Sequence, residues 1–158
     1  MAFGFYNFSL VPSLDADNHY TIQYEDGSFA HKSLSEGEIT FITFLYFLQL
    51  VKGSHSEVGV SGDRIVVIDD PISSLDSNIL FIVSTLIKGL IKDIKENIGE
   101  IKQLIVLTHN VYFHKEASFI DGRTTRNNQT NYWIIRKVNK FSKIQAYGMD
   151  NPVESSYE

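Results

Sequence analysis

The sequence contains no cysteine among its 158 residues, and this absence removes several kinds of chemistry at once. Without thiols the chain forms no disulfide framework, no thiolate zinc site and no cysteine nucleophile. An excess of positive charge is also missing, since 14 Lys and Arg residues stand against 19 Asp and Glu residues and give a formal net charge of −5. The chain is therefore a poor candidate for binding a phosphate backbone through bulk charge alone.

Long hydrophobic runs are absent as well. The apolar-rich stretch from Ile39 to Val51 is shorter than the roughly 20 residues that a membrane-spanning helix needs. The N-terminal residues show no basic segment followed by an apolar run, so no secretory signal is visible. We therefore expect a cytoplasmic protein that has no membrane partner.

The composition that remains is typical of one globular domain. The chain is 43% hydrophobic and 21% charged, which is close to the ordinary usage of folded proteins. Its length fits a prior of about 100–200 residues per domain. We predict a single domain over residues 1–150 and a flexible tail over residues 151–158, because Pro152 and several charged residues follow the last apolar pattern.

The first thirty residues predict an antiparallel hairpin. Aromatic and β-branched residues recur near a period of two, at Phe3, Phe5, Phe8, Tyr20, Ile22 and Tyr24. The polar segment from Pro12 to Asn18 separates the two halves and is typical of a loop.

A helix is predicted directly after this hairpin. Apolar residues occupy nearly every side of the segment from Ser35 to Val51, which favours a buried helix. Ser35 and Glu38 have the spacing of a capping box, and Gly53 after Lys52 is typical of a helix end.

The rest of the chain predicts an α/β fold. Two short apolar runs, Ile65–Ile68 and Leu104–Leu107, are typical of strands that are buried on both faces. A helical period over Ser77–Asn97 lies between them, so we predict a right-handed parallel βαβ unit. A short helix near Val111–Ala117 and a closing strand pair complete the pattern, with parallel strands, flanking helices and the N-terminal antiparallel hairpin.

Polar, reactive residues follow both apolar runs. The first run is followed by Asp69 and Asp70, and the second by Thr108, His109 and Asn110. Parallel sheets bind ligands at the carboxyl ends of their strands, so one carboxylate could hold hydrated Mg²⁺ and the other could orient a water. The alternative is structural, since an aspartate can cap the following turn and a single histidine is more often structural than catalytic.

Four segments in order resemble the motifs of ABC-type ATPases. Leu34–Glu38 resembles the signature motif in its variant from DNA-repair and chromosome-maintenance ATPases, and Arg64–Asp70 resembles a Walker B strand. Ser73–Asp76 resembles the D-loop, and Leu107–Asn110 the switch-histidine segment. The residues of these motifs look most like those of the ATPase module of bacterial anticodon nucleases. The resemblance implies a partial P-loop NTPase fold of the ABC type.

At the signature, the resemblance implies contacts with ATP that the opposite subunit holds. Ser35 and the backbone at Gly37 would donate to the γ-phosphate, at a helix N-terminus whose dipole favours an anion. Glu38 belongs to the same nucleotide-binding motif and also closes the capping box. Glu36 stands where the family more often has glycine, and its carboxylate would repel a phosphate unless it turned away.

At the strand ends, the resemblance implies the hydrolytic groups. Asp69 would be the carboxylate that holds Mg²⁺ through water, and Asp70 stands at the position of the general base, where most relatives carry a longer glutamate. Asp76 would cross the dimer seam toward the nucleotide, and His109 would contact the γ-phosphate. Such groups mostly position and stabilise charge during phosphoryl transfer.

A phosphate-binding loop of the form Gly-x-x-x-x-Gly-Lys-[Ser/Thr] is missing from the sequence. The chain therefore looks like the C-terminal lobe of an ATPase domain, and we expect it to need an N-terminal Walker A lobe or a second ATPase subunit to bind ATP and Mg²⁺. A truncated product, an interrupted gene and a split protein remain equally open. In the family that the chain resembles, the strand before the phosphate-binding loop lies beside the switch-histidine strand. The resemblance therefore implies that its absence leaves Gln103–Thr108 as an apolar edge, which predicts self-association.

The function predicted first is one half of an ATP-hydrolysing module that dimerises around ATP and gates an effector directed at tRNA or another nucleic acid. Any contact with nucleic acid would then come through the parent protein. One alternative is a non-catalytic remnant that binds a partner. Another is a metal-dependent nuclease built on Asp69, Asp70 and His109, although this leaves the signature and D-loop without a role.

Overall fold

The computed structural model describes residues 8–13, 19–30, 33–53, 62–72, 77–118 and 130–153. Within these ranges the chain forms three helices and three two-stranded sheets. The elements are β1 (Phe8–Pro12), β2 (Tyr20–Tyr24), α1 (Glu36–Lys52), β3 (Arg64–Asp69), α2 (Ser77–Lys95), β4 (Ile101–Leu107), α3 (Val111–Ser118), β5 (Tyr132–Val138) and β6 (Phe141–Gly148). The fold is mixed α/β, as the sequence predicts.

The N-terminal hairpin is confirmed. Strands β1 and β2 pair antiparallel, with Phe8 opposite Tyr24 and Pro12 opposite Tyr20. Phe3 and Phe5, which belong to the same predicted pattern, lie outside the described residues. In the turn after β2, hydrogen bonds from the Ser28 hydroxyl and then from its backbone N–H lower the pKa of Asp26.

Helix α1 begins where the sequence predicts. The Ser35 side chain accepts a hydrogen bond from the Glu38 backbone N–H, and the Glu38 carboxylate accepts one from the Ser35 N–H, which completes the capping box. The helix is buried on one side only, at Phe41, Phe44 and Leu48. The prediction of burial all round is wrong, since three apolar side chains are about half exposed or more: Ile39, Tyr46 and Leu50.

The βαβ unit is also confirmed. Strands β3 and β4 are parallel neighbours, and α2 crosses between them and packs against β4. Arg64 fixes the start of the unit, because its guanidinium forms a salt bridge with Glu100 at 2.8 Å and donates to the Val51 carbonyl. None of the described helices is long and apolar enough to cross a membrane.

The β3–β4 sheet has one covered face and one open face. Val66 and Ile68 point into a core formed with side chains of α1, α2 and α3. Ile65 and Val67 point the other way and are 65% and 53% exposed. The prediction that both strands are buried on both faces is therefore wrong. The three described helices contribute to a core on one side of the sheet, and we call the other side, lined by Ile65, Val67, Ile105 and Leu107, the outer face.

The C-terminal part forms a second antiparallel pair, β5–β6, as predicted. It is fastened to α3 through a buried amide at Asn151. His114 Nε2 donates to Asn151 Oδ1 at 2.9 Å, and Asn151 Nδ2 donates to the Ser118 hydroxyl at 3.0 Å. These bonds hold Asn151 in place, whereas residues 154–158 of the predicted tail lie outside the described ranges.

The end of α1 generates a prediction about stability. Gly53 has φ −98, so it is not in the left-handed conformation typical of helix-ending glycines, but a Cβ there would lie 2.9 Å from the Gln49 carbonyl oxygen. We expect Gly53→Ala to lower the free energy of unfolding by about 1 kcal/mol or more, because the backbone must shift. Urea unfolding measures this change.

Gly89 provides the matched control. It lies inside α2, and a Cβ there meets no atom within 4 Å. Gly89→Ala should raise the free energy of unfolding by about 0.4–1 kcal/mol, because alanine restricts the unfolded chain. Equal gains from both substitutions would contradict the close approach at Gly53.

Candidate functional site

The carboxyl ends of β3 and β4 lie side by side. Asp69 is opposite Leu107 in the parallel register, and the Asp70 N–H donates to the Leu107 carbonyl at 2.8 Å. This bond extends the ladder by one residue beyond β3. It brings the segment after β3 next to the segment after β4, where the sequence predicts the reactive residues.

Asp70 and His109 are in direct contact across the two strand ends. The distance from His109 Nδ1 to Asp70 Oδ2 is 2.8 Å. The Thr108 hydroxyl approaches the other carboxylate oxygen at 3.4 Å. The Asp70 side chain is 32% exposed and that of His109 is 83% exposed, so the pair lies at the surface, with the ring outermost. The predicted convergence of the two strand ends is therefore present in the structure for this pair.

The backbone at Asp70 adopts an uncommon conformation. Its φ is +46, in the left-handed region, which aspartate tolerates better than most residues. Pro71 follows directly, and the residue before a proline normally prefers extended backbone. A conformation of this kind costs on the order of 1–3 kcal/mol and is often found at functional sites. It turns the carboxylate of Asp70 toward the end of β4.

Asp69 points to the other side of β3. It follows Ile65 and Val67 in the alternation of the strand and is exposed with them on the outer face. Across the described ranges, no three His, Asp or Glu side chains gather closely enough to hold a metal ion by themselves. An exposed carboxylate of this kind fits Mg²⁺, which usually keeps several waters and takes few protein ligands beside the phosphates of a substrate.

Thr108 and Asn110, to which the sequence assigns no individual role, connect the Asp70–His109 pair to α3. The Asn110 N–H donates to the Thr108 hydroxyl at 3.0 Å, and the Asn110 side chain accepts from the Phe113 N–H at 3.0 Å. Asn110 thereby caps α3, a role that asparagine before a helix favours. Thr108 links this cap to the Asp70 carboxylate. The asparagine was recognisable as a cap from sequence, whereas the threonine contact depends on the strand register.

At the start of α1, the predicted signature residues contact one another. The Ser35 N–H and hydroxyl both donate to Glu38 Oε2 at 2.8 Å, so the Glu38 carboxylate occupies groups that an anion would use. Gly37 lies in the first turn, beside the acidic Glu36. In the described residues, no hydrogen bond joins Ser35 or Glu38 to the Asp70–His109 pair. Asp76, predicted at the dimer seam, lies outside the described ranges.

The parallel β3–α2–β4 unit thus carries acidic and polar side chains at the carboxyl ends of both strands. A family model described as an AAA domain matches residues 1–158. The chain belongs to this family.

Known proteins similar to this chain support the same fold. A solved structure, titled for the ATP-driven dimerization and DNA-stimulated activation of SMC ATPases, aligns with a TM-score of 0.58 and 16% identity, covering 91% of this chain and 74% of that one. Among curated proteins, the uncharacterized chromosomal cassette SCCmec type IVc protein CR006 of Staphylococcus aureus strain MRSA252 is 34% identical over 87 residues. An equal match comes from the protein of that name assigned to Staphylococcus aureus. The matched segment is 54% of this chain and only 12% of each curated relative.

The contact between His109 and Asp70 predicts the tautomer of the ring. When the ring is neutral, Nδ1 must carry the proton in order to donate to the carboxylate. We expect long-range ¹H–¹⁵N spectra at alkaline pH to show the Nδ1–H form of His109, and Asp70→Ala to remove this bias. Asp69→Ala is the control, and an equal effect of both substitutions would contradict the geometry.

Proposed function

We propose that this chain is the signature, Walker B and switch-histidine half of an ATP-hydrolysing ABC-type module. The observation that supports this most is the contact between Asp70 and His109 at the carboxyl ends of two parallel strands. A capping turn needs no histidine from the neighbouring strand, so the contact favours a site over the structural alternative. The pair presents to a common surface a carboxylate that can orient a water and an imidazole that can donate to a phosphate.

The residues at the strand ends divide the chemistry of hydrolysis. Asp70, held by His109 and Thr108, accepts a proton from the attacking water. Asp69 would hold Mg²⁺ through water, and the ion would supply positive charge beside the phosphates. His109 uses Nδ1 for Asp70 and leaves Nε2 for the γ-phosphate. To donate at both nitrogens the ring must carry two protons, so its contact with phosphate depends on protonation.

At the start of α1, the resemblance implies that Ser35 and Gly37 meet ATP held by an opposite subunit. The solved SMC ATPase structure is described as dimerising with ATP, and its fold is shared here. Binding would require Ser35 to exchange its bond with Glu38 for one with a phosphate.

The phosphate-binding lobe would come from another part of the protein or from a second subunit. A lobe that packs on the outer face would cover Ile105 and Leu107 on β4, which are 40% and 41% exposed. In the whole protein, ATP binding would then gate an effector. The resemblance of the motif residues implies an effector that is anticodon-nuclease-like and directed at tRNA or another nucleic acid.

A second candidate function is a non-catalytic remnant that binds a partner. The closed capping box at α1 favours it, because the Glu38 carboxylate fills the Ser35 donors and Glu36 adds a second negative charge. Both charges repel a phosphate at that helix end.

Phosphate release separates the two candidates. We expect hydrolysis when an N-terminal phosphate-loop lobe is added in trans, and none from the chain by itself. Asp70→Asn should lower the rate by at least about 100-fold, because an amide cannot accept the proton from water. Malachite-green phosphate measurements follow the reaction.

Asp63→Asn is the matched control, since it removes one exposed carboxylate beside β3 and outside the site. It should leave the rate unchanged. Faster turnover with Asp70→Asn refutes the role of that residue, and absence of phosphate release with the lobe present favours the remnant.

The outer face generates a prediction about association. Ile65→Thr with Val67→Thr replaces two exposed aliphatic groups by residues that suit strands equally well. We expect sedimentation velocity to show self-association of the natural chain and a shift to monomer for this variant. The control is Ile135→Thr with Ile144→Thr, two similarly exposed residues of β5–β6. If only the control variant lost self-association, the contact would lie on β5–β6 and the prediction for the outer face would be wrong.

A further inference from the structure

The β5–β6 hairpin concentrates positive charge in an otherwise acidic chain. Residues 132–148 contain four of the 14 Lys and Arg residues and none of the 19 Asp and Glu residues. All four are exposed, namely Arg136, Lys137, Lys140 and Lys143. Among the salt bridges of the described residues, none involves these four side chains. The net charge of −5 therefore conceals a local cationic surface.

The strand register brings two of these cations together. Arg136 and Lys143 are directly opposite each other, so their side chains leave the same face of the hairpin. Like charges in such a pair destabilise a hairpin, which means that the pairing gains nothing for the fold. A bound anion between the two groups would reverse the sign of this interaction.

An exposed aromatic ring lies on the same face. Phe141 precedes Lys143 by two residues and is opposite Val138, so it shares the side of the hairpin that carries Arg136. Its ring is 74% exposed. We call the surface of Arg136, Val138, Phe141 and Lys143 the basic face. A flat ring beside two cations matches a ligand that alternates negative charge with flat bases.

The opposite face of the hairpin helps to decide whether the basic face binds a nucleic acid or an acidic membrane. It carries Trp133, Ile135 and Ile144, all more than half exposed, and the exposed cation Lys137. A bilayer that took up these apolar side chains would hold Arg136 and Lys143 away from its headgroups. A bilayer that took up the basic face instead would bury only Phe141 and Val138 as exposed apolar side chains, because Arg136 and Lys143 would stay at its headgroups. The arrangement therefore favours a nucleic acid over an acidic membrane.

We propose that the basic face binds single-stranded nucleic acid, with Arg136 and Lys143 on phosphates and Phe141 stacked on a base. Stacking requires an unpaired base, which a duplex does not offer at its backbone surface. This binding uses no residue of the ATP site. It is compatible with the acidic chain as a whole, because the cations are concentrated on one hairpin.

Fluorescence anisotropy with a labelled 20-nucleotide oligo-dT tests the proposal on the natural 158-residue chain. Arg136→Gln with Lys143→Gln should weaken binding at least tenfold and reduce the slope of log affinity against log salt by about 1.4, since each phosphate contact contributes about 0.7. Phe141→Leu should weaken binding about fivefold or more at every salt concentration, because the apolar bulk remains and the stacking is lost.

Lys92→Gln with Lys95→Gln is the matched control, because it removes two exposed charges from α2. It should change neither affinity nor slope. Thermal unfolding of the Arg136/Lys143 variant should begin no earlier than in the natural chain, so weaker binding cannot be assigned to misfolding. Unchanged binding by Phe141→Leu, a preference for duplex DNA, or equally tight binding to phosphatidylserine vesicles would each overturn the proposal.

Discussion

The parallel pairing of β3 with β4 is the constraint on which the candidate site depends. Its register determines that the segment containing Asp70 ends beside the segment containing His109, and the bond from the Asp70 N–H to the Leu107 carbonyl holds the two ends together. A shift of one residue would turn the inner apolar side chains to the outer face and separate the carboxylate from the ring. The packing of Val66 and Ile68 in the core therefore also fixes the chemistry at the surface.

The same sheet presents an apolar surface to solvent. In the described part of the chain it has two strands, and its outer face exposes four aliphatic side chains that the strand pattern would normally bury. Since full burial of one such side chain stabilises by about 1.5–3 kcal/mol, covering this face would contribute several kcal/mol to the folded state. Under the proposed function, a lobe that supplies the phosphate loop would also cover this face, so nucleotide binding would be coupled to assembly.

Local sequence patterns predicted the positions of helices and strands better than they predicted which side chains are covered by other elements. The capping box at Ser35 and the helical period over α2 are encoded by neighbouring residues, so sequence was sufficient for them. Apolar composition could not reveal that Ile65 and Val67 are exposed, because it carries no information on which elements are present to cover a sheet. The contact of Asp70 with Thr108 and the burial of Asn151 against His114 join residues far apart in the chain, and only the tertiary structure brings them together.

The distribution of charge explains why the proposed ATP site needs added cations to bind its ligand, whereas the basic face of β5–β6 does not. Asp69 and Asp70 follow one another at the end of β3 and face different sides of it, and Glu36 and Glu38 lie at the start of α1. Both regions therefore repel a triphosphate until cations arrive with it. Mg²⁺ and the lysine of a phosphate loop are such cations, and this chain has no loop of that kind. The β5–β6 hairpin carries its own cations and needs no partner to attract a phosphate backbone. Nucleotide binding is therefore expected only in the assembled protein, whereas binding at the hairpin is a property of this chain.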